Sequence, residues 1–487
     1  MSAPPTRLVA RRWLAAPGRL GEGAVAFGLR EGRIDAIERL PADATTRDWF
    51  ALPALANAHD HGRGLRPLGY GAVDQALETW FTALNIHPPI DPYVNAACAF
   101  ARMARSGIGL AVHCHMATAT PALVETAVKV CRAAEDVGIR LAFVVPMRDR
   151  FQLGYVPDDT VLARVPAAQR VAVRGRWIGP MLPAEEQLAI ADEIAKRCTS
   201  ELVDVLYGPA AAHWCTDRMM TLVAEASART GRRVHVHCLE TRYQREFADA
   251  AFPDGLVPFM QRIGLLSERL TLAHGVYLRP DEMDLIAASG TVVSLNTCSN
   301  LRLRSGVAPA PEMARRGVRL AVGIDALGLD DEEDGLRELR LTQLMHAGIG
   351  FEPGLGRTAL LQAALGDGGR AVTGRGDHGT LAPGRPADIL LLDYAALAHD
   401  VMPGVPRALD VVLARATSRH VVSLTVAGRE IVRDGRVLGI DQPALEAALA
   451  EQTLAVAADY RAAAPLVETL QETLRGCYRD GLHRQIG

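Results

Sequence analysis

The sequence predicts an α/β protein: a (β/α)8 TIM-type barrel carrying a small β-sandwich domain built from both chain ends. Three observations point there. Across residues 52–377, apolar β-branched runs alternate with longer Ala-rich stretches of helical periodicity, and repeated strand–helix units make parallel sheets. About eight such units in a stretch of this length suit a closed barrel better than an open sheet. Both ends instead read as short strands punctuated by glycine turns.

Taken in order, residues 1–51 supply strands at 8–14, 24–29 and 33–37, with Gly32 in the last turn. The barrel, 52–377, opens on the apolar run 52–55. Further strand candidates are 109–116, 141–146, 203–209, 234–237, 270–273, 291–295 and 318–324. Helical stretches such as 96–105, 123–137, 185–197 and 218–230 lie between them. Residues 378–440 return to short strands at 387–393, 421–427 and 430–434, turning at Gly428 and Gly435, and complete the β-sandwich begun by the N-terminus. The tail, 441–487, is Ala/Leu/Glu-rich and helical, and Pro465 is expected to split it into two helices.

Composition excludes several functional classes. At 49% hydrophobic, 22% charged and a net charge of −3, nothing suggests a nucleic-acid or membrane partner. A small-molecule substrate is the expectation. No apolar run reaches the roughly 18–20 residues of a membrane span, and the first thirteen residues lack a signal-peptide core. Eight cysteines without a CxxC pair read as reduced thiols of a cytoplasmic protein.

Chemistry-bearing residues gather at the ends of strand candidates. Three His-x-His pairs occur: His59/His61, His113/His115 and His235/His237. Residues i and i+2 of a strand share a face, so each pair can direct two imidazoles into one barrel, whose active site lies at the C-terminal strand ends. Glu240 follows His237 by three residues, His274 ends the run 270–273 before Gly275, and Asp325 ends the run 318–324. Neutral imidazoles with one carboxylate suit Zn²⁺ or Fe²⁺ with a position left open for water. Such an ion lowers the pKa of a bound water to about 7, and a nearby carboxylate can carry its proton to a leaving nitrogen.

In order and combination these segments resemble the amidohydrolase superfamily, in its mononuclear deaminase and chlorohydrolase branch, which includes cytosine deaminase, guanine deaminase and the triazine hydrolases. The matching segments are 52–61 (LPALANAHDH), 235–241 (HVHCLET), 272–276 (LAHGV), 299–306 around SNLRL and SG, 323–325 (GID), 379–389 (GTLAPGRPADI) and 426–436 around VAGR and DGR. The resemblance implies that His59, His61, His237 and Asp325 bind one divalent metal, Zn²⁺ or Fe²⁺. It also implies that Asp325 accepts a proton from the attacking water, that Glu240 shuttles protons to the ring nitrogen and leaving group, and that His274 hydrogen-bonds the reacting centre. A homodimer is a further family-level implication. Binuclear members of the superfamily use a carboxylated barrel lysine. The two lysines here, Lys129 and Lys196, both fall in helical stretches, which favours one metal. The implied activity is hydrolysis of a non-peptide C–N bond, with deamination of a small amino-substituted N-heterocycle foremost. Hydrolytic dehalogenation and cyclic-amide opening remain alternatives, as does a non-catalytic assembly protein of the same fold.

Other residues have two readings each. His115, with His113, lines the substrate pocket or packs a deeper barrel layer; His235 reads as support beneath His237. Arg148 and Asp149 read a polar heterocycle edge or pair within their loop. His213 and Trp214 contact substrate or pack. Trp80 lies in an apolar segment, 77–80, that resembles a stretch near the first active-site loop of that branch and could cover the pocket. Cys114 and Cys238, alternating with the histidines, are expected to face away from the site. The acidic run 330–334 reads as a solvated helix cap. Residues 295–298 (LNTC), where many relatives carry a proline, and 326–328 (ALG) depart from the family pattern, which leaves substrate identity open.

Overall fold

The computed structural model describes residues 6–41, 46–86, 88–117 and 119–485. Eight parallel strands form a (β/α)8 barrel: β1 (Leu55–Asp60), β2 (Ile108–Cys114), β3 (Arg140–Met147), β4 (Val203–Pro209), β5 (Val234–Cys238), β6 (Leu270–His274), β7 (Val292–Leu295) and β8 (Arg319–Val322). Their order in the sheet is their order in the chain. The strands are buried on both faces, as a parallel sheet sheathed by helices requires.

The backbone ladder runs continuously from β1 to β8, and the barrel then closes differently. Asp325 N–H donates to His59 O at 2.9 Å, Ile324 N–H to Asn57 Oδ1 at 3.0 Å, and Ala326 N–H to Asp60 Oδ2 at 3.2 Å. Asn57 Nδ2 in turn donates to Asp60 Oδ2 at 2.7 Å. Two buried polar side chains thus join the strand ends that carry His59 and Asp325. Gly323 makes the approach sterically feasible: a Cβ there would sit 2.5 Å from Asn296 Oδ1 and 2.9 Å from His59 N.

The chain ends form two packed sheets. One, of seven strands, runs Arg436–Val437, Arg429–Arg433, Val421–Val426, Ile389–Asp393, Trp49–Pro53, Arg12–Ala16, Arg19–Leu20; the other pairs Thr6–Ala10, Val25–Arg30 and Arg33–Arg39. Phe27, Leu29, Ile34, Ile389 and Leu391 fill the space between them. The apolar run 52–55 is divided: Leu52 and Pro53 pair with Ile389–Asp393, and the barrel strand begins at Leu55. The expected first strand at 8–14 is likewise divided, into Thr6–Ala10 and Arg12–Ala16.

The tail corrects one expectation. Pro465 lies inside a single helix, Gln442–Arg479, instead of dividing two. Pro465 faces solvent and forfeits one backbone bond, while Val467, Leu470, Leu474, Cys477 and Tyr478 are buried on the opposite side and hold the helix to the barrel. This helix braces the short helix Leu77–Leu84 over the barrel mouth: Gln471 Nε2 donates to Thr79 O at 3.2 Å. No described helix is long and apolar enough to cross a membrane, and all eight cysteines are buried and free.

Candidate metal centre and active site

Three imidazoles converge at the C-terminal mouth of the barrel. Ligating nitrogens of His59, His61 and His237 lie within 4.8 Å of one another. Asp325 Oδ1 sits 3.1 Å from His59 Nε2 and 3.0 Å from His61 Nε2. Each ring is oriented through its other nitrogen: His61 Nδ1 lies 2.7 Å from Cys114 O, His237 Nδ1 2.8 Å from Ala210 O, and His59 Nδ1 2.9 Å from His235 Nε2. Carbonyl partners require N–H at Nδ1, which leaves an Nε2 lone pair aimed inward. Burial lowers the pKa of His59 to about 4 and that of His237 well below the ordinary histidine value, so both are neutral at pH 7. Burial would raise the Asp325 carboxyl, but His59 and His61 opposite outweigh it and hold it well below the ordinary carboxylate value. His59 Nε2 is buried without a hydrogen-bond partner among the described residues. A set of imidazole nitrogens with one carboxylate oxygen fits a divalent transition metal.

Two further groups complete the mouth. His274 Nε2 is 3.6 Å from Glu240 Oε2, and His274 Nδ1 is 2.9 Å from Asn300 Oδ1. Glu240 is 3% exposed, and burial pushes its carboxyl up to about 7 against the opposing pull of His274. Ser305 Oγ donates to Glu240 Oε1 at 3.3 Å, and Glu240 N–H donates to Gln244 Oε1 at 2.8 Å. Next to it, Thr241 Oγ donates to Glu78 Oε1 at 2.6 Å, which ties the helix Leu77–Leu84 to the segment that carries Glu240. Leu239, His274, Asp325 and Ala326 all have positive φ. Non-glycine residues held there cost about 1–3 kcal/mol each, and such strain concentrates at functional sites.

Supporting residues from the matching segment 299–306, to which the sequence assigned no role, sit behind these. Ser299 Oγ donates to Asp325 Oδ2 at 2.6 Å. Ser299 and Asn300 lie on the short helix Thr297–Arg302, which starts inside the departing segment 295–298 and is anchored by Cys298 N–H donating to Glu338 Oε1 at 3.1 Å. Burial pushes the Glu338 carboxyl up to about 8, far above its ordinary 4.5. The folded protein therefore retains a proton that the unfolded chain releases above pH 4.5. The resulting stability is fully present below 4.5 and is lost as pH rises through about 8. Glu338→Gln is expected to match the wild type in stability below pH 4.5 and to exceed it increasingly as pH rises toward about 8, which flattens the decline across this window, as measured by thermal denaturation at several pH values. An unaltered decline would assign it to other groups.

The remaining expectations sort by position. A cavity of about 600 Å³ is lined by Trp80, His115, Arg148 and Trp214 as well as by His61, His237, Glu240, His274 and Asp325. His213 does not line it. That ring is buried against Tyr155 at 4.0 Å and Phe247 at 6.0 Å, where burial lowers its pKa to about 3. Cys114 does not face away: its Sγ lies 3.4 Å from His59 Nδ1, beside His235. His113 also lines the cavity, packed against Phe100 and Phe143, with its Nε2 3.1 Å from His115 Nδ1. The acidic run is paired rather than solvated. Glu333 meets Arg102, Asp331 meets Arg302, and Asp334 caps Gly335–Met345.

A model of the Amidohydrolase family matches residues 50–431. The chain is similar to a 5-methylthioadenosine/S-adenosylhomocysteine deaminase of Nitratidesulfovibrio vulgaris, 36% identical over 216 residues, which span 44% of this chain and 48% of that protein. It is 28% identical over 404 residues to a protein of the same name from Moorella thermoacetica, covering 81% and 84% of the two chains. An adenosine deaminase from Xanthomonas campestris, solved with bound zinc, shares the fold at a TM-score of 0.73 and 22% identity, over 95% of this chain and 98% of that one. The match in sequence to the first of these relatives spans about half its length, whereas the family model runs from the strand before the barrel, through the barrel, to the returning strands of the small domain. The chain belongs to the amidohydrolase family.

Proposed function

We propose that the chain is an aminohydrolase that releases ammonia from a small amino-substituted N-heterocycle, a purine or purine nucleoside foremost. The observation that carries this reading is Glu240: a buried carboxyl at about pKa 7, 3.6 Å from His274, beside a cluster of three imidazoles and a carboxylate. A proton shuttle is most effective when its pKa lies near the working pH. The names of the sequence relatives support an amino-purine substrate.

His59, His61, His237 and Asp325 would hold one divalent ion, Zn²⁺ foremost. When bound, that ion supplies Lewis acidity and brings the pKa of a water toward about 7. Asp325, steadied by Ser299, is placed to accept a proton from the attacking water. His274, held at Nδ1 between Asn300 Oδ1 at 2.9 Å and Asn296 Nδ2 at 3.2 Å, would hydrogen-bond the reacting centre through Nε2. Glu240, about half protonated at pH 7, gives a proton to the ring nitrogen, takes one back from the added hydroxyl as the carbonyl forms, and passes that one to departing ammonia. Trp80 and the helix Leu77–Leu84 cover the mouth and exclude water. The lysine placement supports a single ion: Lys129, paired with Asp91, and Lys196 both lie on helices outside the barrel strands.

The test is ammonia release by zinc-loaded protein from adenosine, 5′-deoxyadenosine, guanine and cytosine. Turnover of at least one purine is expected. Halide release from chlorotriazines or ring-opened acid from a cyclic amide, with no ammonia from any of these, would overturn the reading.

A further inference from the structure

The cavity is larger than ring chemistry requires. About 600 Å³ is the size of a site for a drug-sized molecule, well beyond a bare heterocycle. Its charged lining is also lopsided. Among the described residues, the carboxylates lining it are Glu240 and Asp325, both committed to the reacting centre, whereas Arg63, Arg148 and Arg176 line it with positive charge.

Two of these arginines are held in place without being neutralised. Arg63 follows the His59/His61 pair and is 4% exposed, yet its Nη1 has no hydrogen-bond partner among the described residues. Its guanidinium carbon sits 5.7 Å over the Trp80 ring. Its carbonyl is pinned by Arg102 Nη2 at 2.7 Å, and Arg102 is itself neutralised by buried Glu333. Arg148 follows β3. Buried Gln187 holds its backbone from both sides, accepting from Arg148 N–H at 3.1 Å and donating to Arg148 O at 2.8 Å, which leaves the guanidinium to the cavity. Asp158 attracts Arg148 only from beyond ion-pair distance, and its Oδ1 already accepts from the N–H groups of Gln152 and Leu153. Enclosed guanidinium groups without counter-charges are costly unless a ligand supplies the anion. Their planar forks match carboxylate or phosphate oxygens.

We propose that Arg63 and Arg148 form a second recognition site in this cavity, for an anionic group, carboxylate or phosphate, borne by the substrate. This rests on the reading of the mouth as a deaminating centre, since the anion and the amino-substituted ring would belong to one molecule. Arg176, exposed at the rim, would draw such a substrate inward.

Two measurements on the zinc-loaded protein test the site and keep it separable from that reading. The first titrates inorganic phosphate at constant ionic strength and follows tryptophan fluorescence. Phosphate also ligates divalent metals, so the readout is the difference between proteins. R148M and R63M are each expected to weaken binding about tenfold or more, and R148K to recover part of the loss. The second compares kcat/KM for ammonia release from adenosine, adenosine 5′-monophosphate and S-adenosylhomocysteine. At least one anionic member should exceed adenosine about tenfold, and R148M should bring that ratio close to one. A phosphate winner identifies a phosphate site, and a homocysteine winner a carboxylate site. Equal phosphate binding and an equal ratio in wild type and R148M would overturn the proposal even if adenosine is deaminated. Arg148-dependent phosphate binding with no ammonia from any purine would keep the anion site and overturn the purine reading. Should R63M fail to fold, R148M and R148K decide alone.

Discussion

Glu240→Gln is expected to keep its metal and fold while losing about 10²–10⁴-fold in kcat, the range a positioned proton shuttle contributes. The amide matches the carboxyl in size and can still accept from Ser305 Oγ, and the backbone bond to Gln244 does not involve the altered atoms. What disappears is a group that can both give and take a proton near neutrality, a property created by burial at this position. Elemental analysis for metal together with steady-state ammonia release checks both halves. An unchanged kcat would remove Glu240 from the chemistry, and loss of metal would recast it as a ligand.

Asp325→Asn is the second large effect. The carboxylate faces His59 and His61 through Oδ1 and takes the Ser299 hydroxyl on Oδ2, so under the proposed reading one residue would serve as metal ligand and proton acceptor while anchoring the loop after β8. A neutral amide removes the negative charge from the donor set while preserving its shape. Metal affinity is expected to fall by about 10²-fold or more, since even the partners that merely orient ligands are worth 10–100-fold. Activity is expected to fall below about one-thousandth of wild type, with the circular dichroism spectrum unchanged. Competition with a chelator measures the first and ammonia release the second. A normal rate in this variant would exclude Asp325 from both roles.

Much of the site was legible because strand geometry is periodic. The spacing His59-x-His61 and His235-x-His237 sets paired imidazoles on one strand face, and glycine beside His274 and Asp325 marks strand ends turning into loops. The barrel was legible for the same reason, since eight apolar runs alternate with eight helical stretches. Alternation states which residues share a face but not which face is inward. Cys114 shows the limit: it was expected to face away, yet its Sγ lies 3.4 Å from His59 Nδ1, while its neighbour His113 also lines the cavity. His213 was misplaced by reasoning from its loop position, when Tyr155 and Phe247, distant in sequence, decide where it packs. Pro465 was read locally as a breaker, whereas the apolar residues that hold its helix lie a turn or more away and act through burial. Gln187 and Arg63 bear on the site through contacts of long sequence separation, which no local pattern announces; Ser299 and Asn300 lie in a segment that was readable as a motif, although their partners Asp325 and His274 were not.

The junction between β8 and β1 carries a consequence for how the protein is held together. The bonds that seal the cylinder originate from Asn57, Asp60 and the amides of Ile324, Asp325 and Ala326, the same few residues that flank two of the proposed donor side chains. Fastening the cylinder and gathering the donors are therefore a single event. An ion held by His59 and Asp325 would act as a clasp across this seam, adding to global stability by mass action, and a substitution that springs the junction would scatter the donors with it.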